Sequence, residues 1–199
     1  DKLTIANLDE SSPSGSHILW VNARGIVKKA DLVDVCFVKG TKITLSDGIK
    51  KNIEDIKIND LLLSYKIENF DNLNQDLEYL MAWDSKELNG TKSHTCIKKL
   101  FKNNTKNYYI INNKLKITPE HLLFIKRNNN YEWCPVKNLK ESYYLFNSDN
   151  IFEKIEKIEF VEENIEVFNI KLNGIMNYYT EDYLVHCSSK CDECDINDG

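Results

Sequence analysis

From Cys36 onward the chain is a series of short apolar runs cut by turn residues. Lys42-Ile43-Thr44-Leu45 meets Asp47-Gly48, a dipeptide suited to a tight hairpin, and Ile49-Lys50-Lys51 follows. Ile53-Glu54-Asp55-Ile56 is too short for a long helix, and Asn59-Asp60 marks a second turn before a strand over 61–67. Further short strands are predicted at 96–100, 108–111, 114–118 and 122–125, then over 151–161, 166–172 and 176–185. Residues 68–95 are more polar and irregular and read as a loop insertion. Many short strands separated by turn signals predict an all-β domain.

One pattern recurs. Residues 49–63 read I-K-K-N-I-E-D-I-K-I-N-D-L-L-L, and residues 133–146 read W-C-P-V-K-N-L-K-E-S-Y-Y-L-F. Each places two apolar residues three apart, then Lys, a polar turn and an apolar strand. Such an echo fits a β-fold built from two similar halves.

The region before Cys36 differs in texture. Residues 1–16 are polar and end in Ser11-Ser12-Pro13-Ser14-Gly15-Ser16, the composition of a linker. His17-Ile18-Leu19-Trp20-Val21 reads as a strand, and the apolar positions of 25–35 fit either a short helix or a strand. Both methionines, Met81 and Met176, are internal, so the chain reads as a segment of a longer product.

Composition narrows the function classes. The 199 residues are 42% hydrophobic and 29% charged, enough apolar content for a core. A net charge of -5 argues against a general nucleic-acid-binding face. No apolar run approaches the roughly 18–20 residues of a membrane span, and no signal-peptide pattern is present. The chain is expected to act as a monomer. The 24 asparagines, scattered among periodic apolar segments, reflect an AT-rich genome more simply than a prion-like tract. The six cysteines are irregularly spaced with nothing marking secretion, which favours reduced thiols and a reducing intracellular compartment.

Three elements carry candidate chemistry. Cys36 opens a segment just before a glycine and a strand, where a thiol can serve as a nucleophile or as a small buried apolar group. Thr118-Pro119-Glu120-His121 places a hydroxyl and an imidazole at a strand end, because Pro119 biases Thr118 toward extended geometry. Residues 177–187, N-Y-Y-T-E-D-Y-L-V-H-C, flank a Glu181-Asp182 turn with two strands and end on His186-Cys187. Taken singly, each histidine reads equally well as a structural residue.

Together the order and separation of these elements resemble the Hint family, the self-processing domain of inteins, bacterial intein-like domains and hedgehog autoprocessing domains. The run from Cys36 to Tyr65, C-F-V-K-G-T-K-I-T-L-S-D-G-I-K-K-N-I-E-D-I-K-I-N-D-L-L-L-S-Y, resembles the family's N-terminal block. T-P-E-H resembles its T-x-x-H block, and V-F-N-I through N-Y-Y-T-E-D-Y-L-V-H resembles its C-terminal blocks. The resemblance implies a horseshoe-shaped, all-β Hint fold with pseudo-two-fold symmetry over 36–186. Residues 1–35 and 187–199 would be flanking segments, and these flanks would be the domain's own partners.

The resemblance also implies roles. Cys36 would attack the Val35 carbonyl in an N-to-S acyl shift, His121 would protonate the departing nitrogen, and Thr118 would hold the strained peptide. His186 and Cys187 would form the C-terminal junction. The reaction would be a single-turnover rearrangement needing no metal or cofactor, since the substrate is the adjoining backbone.

The chain departs from the family at that junction. A splicing intein ends in His-Asn followed by Cys, Ser or Thr, whereas His186 is followed directly by Cys187, and Met176 stands where many inteins carry another histidine. A cysteine side chain cannot form the succinimide that cuts the chain there. N-terminal cleavage therefore ranks above efficient splicing, with Cys187 available as an acyl acceptor. Two other readings stand beside it: a catalytically impaired structural module, and a zinc site built from His186, Cys187, Cys191 and Cys194, whose single C-x-x-C spacing is a weak signal.

Overall fold

The computed structural model describes residues 17–21, 27–31 and 35–187, the first two segments by backbone alone. The serine-rich stretch 11–16 and the cysteines Cys191 and Cys194 of the zinc reading lie outside the described residues. The chain divides into two compact units, Asp1–Val33 and Asp34–Gly199. In the first, β1 (His17–Val21) and β2 (Val27–Asp31) pair antiparallel with Val21 opposite Val27, which decides the helix-or-strand alternative for this region in favour of strand.

The second unit is built almost wholly of strands. It runs β3 (Phe37–Val38), β4 (Lys42–Thr44), β5 (Lys50–Asn52), a 3-10 turn at Ile53–Asp55, and β6 (Leu61–Ile67). Next come α1 (Leu77–Ala82), β7 (Asp84–Ser85), β8 (Gly90–Ile111), β9 (Leu115–Ile117) and β10 (Leu122–Arg127). Then follow β11 (Asn130–Pro135), a 3-10 turn at Val136–Asn138, β12 (Tyr144–Phe146) and β13 (Phe152–Lys154). The last three are β14 (Ile158–Asn173), β15 (Asn177–Thr180) and β16 (Tyr183–His186). Among the described residues no helix is long and apolar enough to cross a membrane.

Two sheets form. One has the order β14-β3-β9-β8-β6, with β14 also pairing β8. The other follows β13-β12-β10-β16-β15-β4-β5, with β11 on β10 and β7 on β11. The sequence echo corresponds to a structural repeat. Each half passes from a strand into a single 3-10 turn and then into another strand: β5 to β6, and β11 to β12. The turns are seated alike, Ile53 donating its N–H to the Thr41 carbonyl at 2.8 Å and Val136 to the His121 carbonyl at 2.9 Å.

Strands β10, β15 and β16 separate two cores. Leu122-Leu123-Phe124-Ile125 is buried on both faces. Leu123 and Ile125 join Tyr178, Tyr183 and Val185 on one side. Leu122 and Phe124 join Tyr179, Leu184 and Trp133 on the other. This double burial explains why these strands are continuous apolar runs, where a half-exposed strand would alternate. A third, smaller cluster gathers Val38, Tyr108 and Val167 around Cys36.

Turn chemistry accounts for the register. Gly48 takes φ +85°, as the Asp47-Gly48 hairpin requires. Six asparagines, Asn69, Asn112, Asn113, Asn128, Asn129 and Asn150, also hold positive φ, which a short amide side chain tolerates. Glu181 and Asp182 do the same at the β15–β16 turn, where Asp182 pairs with Lys50 at 2.6 Å.

Two segments differ from the sequence expectation. Residues 96–111 form part of one 22-residue strand, β8, which pairs with β6 over Gly90–Cys96 and with β14 beyond. Its middle is exposed and polar, so no apolar alternation announces it. The 68–95 segment holds α1, β7 and the start of β8, and Phe70 and Leu80 are buried in the aromatic core.

Candidate functional site

β3 is only two residues long, yet it pairs on both sides: Phe37 lies opposite Ile117 of β9 and Phe168 of β14. This pairing carries Cys36 to the end of β9, where Thr118 follows. The amide N–H of Cys36 donates to the Thr118 hydroxyl oxygen at 2.8 Å. That hydroxyl donates to the Cys36 carbonyl at 3.1 Å, and the Thr118 N–H reaches the same carbonyl at 3.0 Å. Thr118 thus engages both backbone groups of Cys36 across 82 residues of sequence. Val35 and Cys36 are themselves buried, so their shared peptide bond lies inside the protein.

The turn after Thr118 closes when His121 donates its N–H to the Thr118 carbonyl at 3.3 Å. The His121 ring packs on Phe37 with centroids 4.3 Å apart. It is fully buried, and burial pushes its pKa down to about 3, with the nearby His186 adding to the effect. The backbones of His186 and Cys36 face the ring and favour its charged form, offsetting part of the shift. Neither ring nitrogen meets the geometric limits of a hydrogen bond among the described residues. At neutral pH the imidazole is therefore uncharged, with one nitrogen to donate and one to accept.

His186 ends β16, opposite Leu122 of β10 and Asn177 of β15. Its ring meets the Trp133 indole edge-on at 5.0 Å. Burial pushes its pKa down to about 3, opposed by the backbone of Asn74. Cys187 donates its N–H to the Met176 carbonyl at 2.7 Å and its thiol to the Ile170 carbonyl at 3.0 Å.

Tyr178 connects the two cysteines electrostatically. Its hydroxyl is buried, and its pKa is raised by burial first, then by Cys187 and Cys36. Both thiols therefore lie within electrostatic reach of one phenol. The structure brings Cys36, Thr118 and His121 together directly, sets the His186 backbone against His121, and ties Cys187 to the Met176 and Ile170 carbonyls. Sequence reasoning did not single out Phe37, Trp133 or Tyr178, nor the loop residues Asn72 and Asn74. Phe37 follows the candidate nucleophile and Tyr178 lies in the third candidate segment, but the others carry no local signal.

The remaining chemistry is sparse. Cys96 is an exposed thiol, and burial pushes the Cys134 thiol up to about 12. No group of three or more His, Cys, Asp or Glu residues suited to a metal ion occurs among the described residues.

Solved structures share this arrangement of strands. A bacterial intein-like domain from Clostridium thermocellum superposes with a TM-score of 0.59 at 19% identity, covering 76% of this chain and 97% of that domain. The gp41-1 intein gives 0.54 at 22% identity, over 77% and 98%. A DnaB intein from Synechocystis sp. PCC 6803 gives 0.56 at 16% identity, over 78% and 99%. The second unit therefore has the Hint fold, the fold of inteins and bacterial intein-like domains. Among curated proteins, the reverse gyrase of Methanocaldococcus jannaschii is 30% identical over 111 residues. The match takes in 56% of this chain and spans only 6% of the length of reverse gyrase. No family model matches the chain.

Proposed function

We propose that the domain over 36–186 rearranges its own backbone at Val35–Cys36, with 1–35 and 187–199 as the flanking segments on which it acts. The Cys36 sulfur attacks the Val35 carbonyl carbon, the carbon–nitrogen bond breaks, and the thiol proton ends on the freed Cys36 amine. The product is a thioester between Val35 and the Cys36 side chain. An external nucleophile then releases 1–35, or the Cys187 thiol takes over the acyl group.

The observation that carries this reading is the hold of Thr118 on the Cys36 N–H and carbonyl, with His121 one turn away. Amide resonance resists attack until the nitrogen gains a proton, and the Thr118 hydroxyl holds the Cys36 N–H in one fixed place for that step. The His121 ring faces the Cys36 backbone, and burial makes its imidazolium a strong acid, so His121 is the group that protonates the departing nitrogen. The reactants are adjacent in the chain, so no association cost arises.

A second reading is supported by the junction itself. The Cys187 thiol is engaged by the Ile170 carbonyl, Met176 stands where many inteins carry a histidine, and His186 is followed by Cys187 with no asparagine, whether Cys187 replaces that asparagine or is the downstream nucleophile. On this reading the domain is an inert structural module. Hydroxylamine followed by intact mass separates the two: release of 1–35 supports processing, and an unchanged mass supports the module.

A further inference from the structure

The polar segment 68–76 leads from β6 to α1, and its contacts converge on the C-terminal junction. β6 is the outermost strand of its sheet. Tyr65 and Ile67 lie two apart along it, so their unused N–H and carbonyl groups point to the same open edge. Two asparagine amides occupy that edge. Asn177 accepts the Tyr65 N–H at 2.9 Å and donates to the Tyr65 carbonyl at 2.9 Å. Asn72 accepts the Ile67 N–H at 2.9 Å and donates to the Ile67 carbonyl at 2.7 Å and to the Phe70 carbonyl at 2.9 Å. Each amide replaces a missing neighbour strand, offering one acceptor and one donor to a single residue.

Between them lies Met176, whose N–H donates to the Asn72 carbonyl at 2.8 Å and whose carbonyl accepts the Cys187 N–H at 2.7 Å. The path from the edge of β6 to the junction is thus continuous: Ile67, Asn72, Met176, Cys187. A second path runs through rings, from Phe70 to Trp133 at 6.1 Å and from Trp133 to His186 at 5.0 Å. Asn177 also lies directly opposite His186 in the β15–β16 ladder.

We infer that Asn72 and Asn177 form a clamp that positions the His186–Cys187 junction, and that the segment 68–76 is a working part of that junction. In its functional form this rests on the proposed acyl chemistry. There the Val35 carbonyl carbon moves from the Cys36 sulfur to the Cys187 sulfur, and the Cys187 proton ends on Cys36. The clamp fixes the backbone from which Cys187 must reach.

The test uses the full chain and two readouts. In a Cys36→Ala background, which removes the chemistry, iodoacetamide labelling is followed by peptide mapping. Asn72→Ala and Asn177→Ala should raise Cys187 labelling about tenfold or more while Cys134 stays protected. Parallel exposure of Cys134 and Cys187, or no change at Cys187, overturns the clamp. Cys134 is the control because it is buried in the same core. In the Cys36 chain, both variants should keep hydroxylamine release of 1–35 within about threefold of the parent and lower Cys187 acylation about tenfold. Equal loss of both steps overturns the positioning role. Absence of release in the parent defeats the acyl chemistry alone, and the clamp is then decided by the labelling.

Discussion

The Thr118 hydroxyl accepts the Cys36 amide N–H at 2.8 Å and donates to the Cys36 carbonyl at 3.1 Å, so one side chain spans both backbone groups of the proposed nucleophile. The relationship joins residues that flank two strands, β3 and β9, which meet only in the folded domain. It also sets the first prediction. Thr118→Ala should slow release of 1–35 about tenfold or more, since the hydroxyl loses its hold on the N–H of the reacting peptide and on the Cys36 carbonyl just beyond it. It should also cost about 1–3 kcal/mol of stability by leaving the buried Cys36 N–H without this acceptor. Thr118→Ser should recover most of both. Release rates under hydroxylamine and urea denaturation check the two effects.

The paired buried histidines predict an acid-sensitive fold. Both have pKa values near 3 in the folded state, against an ordinary value near 6.5. Between these values the unfolded chain binds protons that the folded chain refuses. Their contribution is complete above about pH 6.5 and is lost as pH falls, by up to about 1.4 kcal/mol per pH unit for each histidine. Urea melts of the Cys36→Ala chain should show this slope, and adding His186→Gln should flatten it.

Much of this site could be read in the sequence, and the reasons are local. Asp47-Gly48 and Glu181-Asp182 mark turns because only some residues tolerate the left-handed backbone, and all but Asp47 of these four have positive φ. Cys36, Thr-Pro-Glu-His and His186 lie at strand ends, where short apolar runs stop. The repeat at 49–63 and 133–146 was visible because both halves reuse one strand–turn–strand pattern. What was not legible depends on distant partners. The strand β8 changes partner from β6 to β14 at Cys96, and its stretch over 98–104 has no buried residue, so its pattern looks broken. The segment 68–76 looks like an insertion because its ties to Met176 and His186 are backbone contacts, which leave no mark in side-chain identity.

Thiol reactivity should divide sharply outside the site. Cys96 is exposed on β8, whereas Cys134 is buried with its thiol pushed up to about 12. The thiolate is the reactive form, so alkylation near neutral pH should modify Cys96 rapidly and leave Cys134 intact until the protein unfolds. Peptide mapping after a short iodoacetamide pulse, with and without urea, checks this.

The central claim is that the Val35–Cys36 peptide can become a thioester. Hydroxylamine treatment of the full chain with intact-mass detection measures it most directly. The expected result is release of 1–35 carrying a hydroxamate at Val35, together with 36–199 bearing a free amine at Cys36, and no release from Cys36→Ala. An unchanged mass for the parent chain across several pH values, or equal release from Cys36→Ala, would contradict the account.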